Sequence, residues 1–295
     1  MVQADNELDM ATRTNKYLPQ ILDVIEKYKD SRPPTVGYAS YKVGDHADDR
    51  FYDDNQWIGI AAFDAYKRTK QKKYLQLGKD IYRFMMSGYD TVSGGGIYWV
   101  ENNKNSKNTC SNGPGVLVAL GVYENTKKKV YLDTAILIYN WTAKYLRAPN
   151  GLYYDNYNIK KKIIDSALYS YNAGTMLESA AWLYQITGKK SYLDEAKTIA
   201  ASAADHFLGN GIFKDDYWFN AVMLRGYLRL YSIDHNQQYI EMFRKCLDYT
   251  IHNQQQKDGL YGRSKIENLV AQAGLLEMLS RFAILQDQNN YSKRK

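Results

Sequence analysis

The sequence predicts an all-α fold of helical hairpins arranged as a toroid, an (α/α)6-type barrel, and three observations carry that expectation. The first is a turn repeated four times: YKRTKQKKYL at 66–75, YENTKKKVYL at 123–132, YQITGKKSYL at 184–193 and YSIDHNQQYI at 231–240. Each reads Tyr, seven residues, Tyr, and a long internal period of this kind marks stacked supersecondary units. The second is the apolar periodicity on both sides of the turns. Trp57, Ile60, Ala61, Phe63 and Ala65 precede the first one, and Leu75, Leu77, Ile81, Phe84 and Met85 follow it, so each turn joins two antiparallel helices. The third is a second repeat in the intervals: GGGIYWVE at 94–101, NGLYYDNY at 150–157, NGIFKDDY at 210–217 and DGLYGR at 258–263. Glycine, aliphatic, aromatic is the signal of a short extended stretch entered through a tight turn.

The elements follow in order. The opening stretch TNKYLPQILDVIEKY at 14–28 is helical. Inner helices are expected near 53–67, 113–124, 171–186, 217–231 and 267–284, with outer partners near 73–87, 130–146, 192–207 and 237–252. That makes ten helices in a single domain spanning 1–295, with disordered tails at 1–15 and 286–295. The long loops then share one rim, at the N-termini of the inner helices, where unpaired backbone N–H groups and loop residues favour a ligand.

Composition narrows the function. With 295 residues, 45% hydrophobic and 24% charged, the chain fits a closed single-domain barrel. It has no run of about 18 apolar residues, so neither a spanning segment nor a membrane partner is expected. The N-terminus lacks a basic segment followed by an apolar one. A cytoplasmic protein is therefore expected for the chain as it stands, and a secreted one if its N-terminus is truncated. The net charge of +7 is scattered over KQKK at 70–73, KKK at 127–129, KKK at 160–162 and SKRK at the end; these read as solvated faces, and no nucleic acid is expected. Cys110 and Cys246 lack CxxC spacing, and His46, His206, His235 and His252 are dispersed, so no metal, cofactor or disulfide framework is expected. A monomer is expected. The 28 Tyr against 8 Phe and 5 Trp suit a polar cleft for sugars, and they suit helix packing equally.

At the predicted rim, FYDDNQWIGIAAFDAY at 51–66 sets Asp53 beside Asp54 at a helix start. One aspartate serves as an N-cap, and a second is tolerated by the helix dipole. The other reading is chemical. Retaining glycoside cleavage needs two carboxyl groups ~5–5.5 Å apart, and two so close cannot both ionise freely. Tyr52 and Trp57 would add a hydrogen bond and a stacking face. Trp57, Tyr98, Trp99, Tyr171 and Trp218 are candidate sugar platforms, or else fillers between helices. A rival pair, Asp215 and Asp216, opens a later inner helix, and Asp216 also counts as a substrate-facing candidate. GGG at 94–96 precedes IYW and reads as a turn rather than a phosphate loop.

Three segments, YDDNQWIGIAAFDAYKRT at 52–69, GGGIYWVENNKNSKNTCSNGPGVLVAL at 94–120 and LYSYNAGTMLESAAWLYQITGKKSYLDEA at 168–196, resemble the bacterial α-1,6-mannanases of glycoside hydrolase family 76. The resemblance spreads over roughly residues 50–285 and implies an (α/α)6 barrel. It implies that Asp53 is the nucleophile and Asp54 the acid/base, and that Asn112, Tyr171 and Asn172 touch substrate. It further implies an oligo- or polysaccharide substrate, α-1,6-mannan or a relative, cleaved without a cofactor. Two positions depart: Ala173 stands where the family commonly has Gln, and Asn220 where Lys is expected. The family's first hairpin looks absent, so either the N-terminus is truncated or the barrel is incomplete. The alternative function is a carbohydrate-binding or catalytically impaired relative.

Overall fold

The computed structural model describes residues 1–44, 48–262 and 268–292. Eleven α-helices lie among them: α1 (Val2–Ala11), α2 (Tyr17–Ile25), α3 (Tyr52–Thr69), α4 (Lys72–Ser87), α5 (Thr109–Thr126), α6 (Lys129–Leu146), α7 (Ser170–Thr187), α8 (Lys190–Ala203), α9 (Tyr217–Asp234), α10 (Gln237–Asn253) and α11 (Leu269–Ser292). Two small antiparallel sheets decorate the loops. One pairs β1 (Lys29–Asp30) with β2 (Gly37–Tyr38), and the other has the order β3 (Ser106–Asn108), β4 (Tyr154–Asn158), β5 (Ile163–Leu168).

The repeated turn has one backbone cause. Lys70, Lys127, Gly188 and His235, each four residues after the first Tyr, adopt the left-handed conformation (φ 55° to 69°). Their N–H groups donate to the carbonyls of Tyr66, Tyr123, Tyr184 and Tyr231 at 2.7–2.9 Å. This left-handed cap satisfies a terminal carbonyl and turns the chain into the outer helix.

A fifth turn was hidden. Arg13 (φ 56°) also turns left-handed after α1, but here Asp9 occupies the position of the first Tyr, and the Thr14 N–H donates to its carbonyl (2.8 Å). Its buried carboxylate accepts from the Thr14 hydroxyl (2.7 Å) and from the backbone N–H groups of Lys16, Tyr17 and Leu18 (2.8–3.1 Å), which caps α2. The expected disordered tail at 1–15 is therefore helix and turn. VQADNELDMA looks polar, yet Ala4, Asn6, Glu7 and Asp9 are buried, because their partners lie on neighbouring helices. The tail expected at 286–295 is also helical as far as Ser292. Of the expected helix starts, only that at Glu267 lies outside the described residues.

The odd-numbered helices form the inner ring. Neighbours pack in the order α1, α3, α5, α7, α9, α11 and back to α1, so the expected gap at the first inner helix is filled by α1. No outer helix among the described residues covers α11. The inner helices run parallel: Gln3 bonds Asp64 and Asn6 bonds Arg68 between α1 and α3, while Glu178 meets Arg225 and Gln185 meets Arg229 between α7 and α9. Close approach needs small residues. A Cβ on Gly174 would sit 2.4 Å from the Met223 Cα, and one on Gly274 2.4 Å from the Trp218 Cα; both are backbone contacts that no rotamer change relieves. By length and composition α11 could cross a membrane. It is nevertheless a barrel helix, packed between α9 and α1 with Glu277 buried and Arg281 paired to Glu7 at 3.2 Å.

Towards the C-terminal ends of the inner helices an ionic network crosses the barrel axis. The buried Arg225 of α9 binds Asp64 of α3 (2.7 Å) and Glu178 of α7 (3.1 Å), and Arg229 joins Glu178 at 3.3 Å. The paired guanidinium groups hold the Asp64 and Glu178 carboxyls below their ordinary range against the opposing effect of burial. Arg225→Ala is expected to destabilise the fold by about 3 kcal/mol in denaturant titration, because the buried Glu178 and the half-buried Asp64 lose a shared counter-charge. A loss below about 1 kcal/mol would show that water compensates the pair.

Candidate active site

The start of α3 is held by a loop that pairs with it. Phe51 is extended and bridges Val100, Tyr52 N–H donates to Trp99 O (2.9 Å), and Glu101 N–H donates to Arg50 O (3.1 Å). Two buried cations fix this loop. Arg50 binds both carboxylate oxygens of Glu101 (2.6 and 2.7 Å) and the carbonyls of Arg32, Pro33 and Thr35. Lys107 binds Asp90 Oδ1 (2.7 Å) and the carbonyls of Val92 and Gly95. The triple glycine is thus a turn wrapped around an ammonium group.

That frame sets Asp53 and Asp54 on the first turn of α3 at the shared N-terminal mouth. The indole N–H of Trp99 donates to Asp53 Oδ2 at 3.2 Å, while Asp53 Oδ1 is buried with no hydrogen-bond partner. Burial, and then the neighbouring Asp54 charge, push the Asp53 carboxyl up to about 7. Asp54 is accessible at the mouth, and its carboxyl is also raised, because the surrounding protein deprives its charge of solvation. The pair therefore retains a proton at a pH where isolated aspartates have lost theirs.

The remaining candidates divide. Trp57, Trp99, Tyr171 and Trp218 keep solvent-accessible faces around the mouth. Trp57 meets Trp218 edge to face at 5.2 Å, and Tyr171 lies 6.0 Å from Trp218. Asn172 is buried, and both its side-chain atoms lack partners. The others are committed to structure. Tyr52 is 1% exposed, stacked on Phe84 with its hydroxyl at Ser87. Tyr98 is 3% exposed beneath the Lys107 ammonium (4.6 Å). Asn112 spends its amide on Ile97 N–H, Ile97 O and Asn108 O (2.7–2.9 Å). Asp216 caps α9 through Trp218 N–H (2.8 Å), and its neighbour Asp215 takes the Ser170 N–H at the start of α7 (2.7 Å). The rival pair thus holds two helix N-termini, with Asp216 still exposed at the rim, and the substrate-contact expectations for Tyr52, Tyr98 and Asn112 are corrected: these side chains are buried, and their polar atoms or ring faces already have partners.

Sequence reasoning missed Asp155. It sits at the irregularity between Tyr154 and Asn156 where β4 slips against β5, and bulges of this kind re-aim side chains. Its carboxyl is raised, first by burial, and its charge reaches both Tyr171 and Cys110. The Cys110 thiol is buried beside Asp53 and pushed up by burial, so it stays protonated. A lone Asp inside the glycine-aliphatic-aromatic segment NGLYYDNY was the available signal. Among the described residues no group of three metal-ligating side chains gathers.

A closed ring of parallel inner helices, with two raised carboxyls and aromatic faces at one mouth, defines the class: an (α/α)6-type toroid built around a carboxylate-bearing cleft. The chain belongs to glycosyl hydrolase family 76, whose family model matches residues 35–228. It is 30% identical to a family 76 mannosidase of Bacteroides thetaiotaomicron, with a TM-score of 0.87 over 98% of this chain and 86% of that one. It is 25% identical, with a TM-score of 0.83 over 97% and 87% of the two chains, to an inactive variant of an α-1,6-mannanase of Salegentibacter sp. HEL1_6. In that variant two consecutive aspartates are replaced by alanine, and it is bound to α-1,6-mannotetrose. The curated mannan endo-1,6-alpha-mannosidase of Saccharomyces cerevisiae is 30% identical over 176 residues, which is 54% of this chain and 39% of the yeast protein. The match thus spans about two fifths of that relative's length.

A raised carboxyl has a consequence for stability. The folded state holds a proton on Asp53 up to about 7, whereas the unfolded chain releases it near 4, so this group subtracts stability progressively as pH rises between those values. Asp53→Asn is therefore expected to melt at a higher temperature than the parent at pH 8 and at the same temperature near pH 4. Equal melting temperatures at both pH values would show that the carboxyl is not desolvated.

Proposed function

We propose that this chain is a glycoside hydrolase that cleaves α-1,6-linked mannan with retention of configuration. The observation that carries the reading is the pair on one helical turn: Asp53 tucked under the Trp99 indole and Asp54 open at the mouth, both carboxyls raised. The relatives' activity on α-1,6-linked mannan supports the substrate, and the mannanase variant lacking two consecutive aspartates is inactive.

In this mechanism an Asp53 oxygen bonds to the anomeric carbon as the bond from that carbon to O6 of the next sugar breaks. The departing electron pair on O6 takes the proton of Asp54. Water then attacks the anomeric carbon, gives its proton to Asp54 and releases Asp53. With both carboxyls raised, the pair holds a proton above the ordinary aspartate range. Positive charge developing at the anomeric carbon favours the state with Asp53 ionised and Asp54 protonated, and the Trp99 N–H stabilises that charge. The open faces of Trp57, Tyr171 and Trp218 offer stacking surfaces for sugar rings. The unpartnered Asn172 amide and the Asp155 carboxylate supply polar groups for hydroxyls.

The two aspartates should fail differently. Asp53→Asn is expected to lower turnover by several orders of magnitude on every substrate. Asp54→Asn should lose activity on mannan yet still open an activated aryl α-mannoside, and azide should accelerate it, since a small anion needs no general base. Product analysis by chromatography on α-1,6-mannan and α-1,6-glucan reads the substrate. Near-parental activity in both variants would return the pair to helix capping, where Asn serves as well as Asp.

A further inference from the structure

The hairpin β4–β5 is more elaborate than its place in the fold requires. Its base is stiff: Thr109 Oγ1 at the start of α5 donates to Tyr154 O (2.6 Å), β4 pairs with β3, Ile159 N–H donates to Asn105 O (2.8 Å), and the Tyr157 ring packs on Tyr145 at 5.5 Å. The tip is equally ordered, with the Lys161 and Lys162 N–H groups both donating to Asn158 (2.9 and 2.8 Å). On this stiff finger Lys160, Lys161 and Lys162 are exposed, and no carboxylate pairs with their ammonium groups among the described residues. Beside them Ile163 and Ile164 stand 58% and 42% exposed. The acidic group next along the strand, Asp165, turns an oxygen to the Ala167 N–H (3.1 Å).

Lysines alone would be a familiar device to keep the free edge of β5 from pairing with other strands. Two adjacent isoleucines held in solvent work against that purpose. Unpaired ammonium groups bordering exposed aliphatic side chains instead fit a surface with negative headgroups above an apolar layer.

We propose that the tip of this hairpin, Lys160 to Ile164, docks the protein on an anionic lipid bilayer. This departs from the sequence expectation of no membrane partner, and it rests on the hairpin alone, independent of the hydrolytic reading. Asp155, whose charge reaches Tyr171 and Cys110, lies five residues back from Lys160, on β4, which ends at Asn158, so at ~3.3 Å per extended residue the two are at most about 16 Å apart. Docking would therefore hold the cleft within a few sugar rings of the surface, in reach of glycans attached to lipid.

Sedimentation of the whole chain with vesicles tests this, comparing phosphatidylcholine alone with phosphatidylcholine containing one third phosphatidylglycerol. Binding is expected only to the anionic vesicles, weakening as salt is raised. Replacing the three lysines together (Lys160→Gln, Lys161→Gln, Lys162→Gln) is expected to lower partitioning about a hundredfold. The double change Ile163→Ser and Ile164→Ser should lower it about tenfold. Circular dichroism and melting temperature should stay parental in both variants, because the altered side chains are exposed. Absence of binding to anionic vesicles, or binding that the lysine variant leaves unchanged, overturns the proposal. It is also overturned if the isoleucine variant binds as the parent does and soluble polyphosphate competes fully; the tip would then be a site for a free polyanion.

Discussion

The structure depends on a guanidinium group at the centre of the ring. Arg225 reaches from α9 across the axis to Asp64 on α3 and sideways to Glu178 on the neighbouring α7. Arg281 on α11 ties the neighbouring α1 through Glu7 and also pairs with its own Glu277. A ring of six helices cannot fill its axis with aliphatic side chains alone, because facing helices lie too far apart to interdigitate across the middle. Long charged side chains span that distance, and each buried ion remains tolerable only while its partners stay in place. The ion pairs thereby fix the register of the inner helices, while Gly174 and Gly274 allow neighbouring backbones to touch.

With the inner helices in register, the N-termini of α3, α5, α7, α9 and α11 reach one mouth together, while α1 begins level with Asp64 in the C-terminal half of α3, and the character of the two ends diverges. Towards the C-terminal half carboxylates pair with guanidinium groups, and Gln3 Oε1 and Glu7 Oε2 are the buried atoms left over on α1. At the N-terminal mouth such atoms gather: Asp53 Oδ1, Asn172 Oδ1 and Nδ2, Ser170 Oγ and Asn220 Oδ1 are buried without partners. Each such atom costs stability. Their concentration around one cleft is what a site prepared for a hydroxyl-rich ligand requires, since a bound sugar can supply the missing donors and acceptors.

The loops that hold this mouth are built around buried cations. Arg50 and Lys107 each gather several backbone carbonyls, converting irregular chain into a rigid support for the Trp99 indole above Asp53. Tyr98, Asn112, Asp215 and Asp216 belong to the same supporting layer. They stand close to the chemistry in sequence and in space, and they act by fixing the elements that carry it.

Local rules made the hairpin plan legible in the sequence. The Tyr-x7-Tyr turn marks a left-handed cap followed by a new helix, and the apolar periodicity on either side belongs to the chain itself. Helix starts at Tyr52, Tyr217 and Ser170 therefore fell within a residue of their expected places. The adjacent carboxylates on a rim helix were legible for the same reason. Tertiary structure decided the rest. Helix α1 read as a polar tail because Glu7, Asn6 and Asp9 find their partners across α11 and α3 and at the start of α2, which no local pattern encodes. Whether Tyr98 or Asn112 faced a ligand depended on which group outside its own helix or loop, the Lys107 ammonium or the Ile97 backbone, had already taken it. Asp155 stands beside an irregularity in the pairing of two strands, and its approach to Tyr171 and Cys110 follows from how that hairpin packs. The sequence by itself determined where the chain turns and which faces are apolar, since backbone sterics and periodicity act within a few residues. Partnership between polar groups acts across the barrel, and only the closed ring decided which of them remained unpaired.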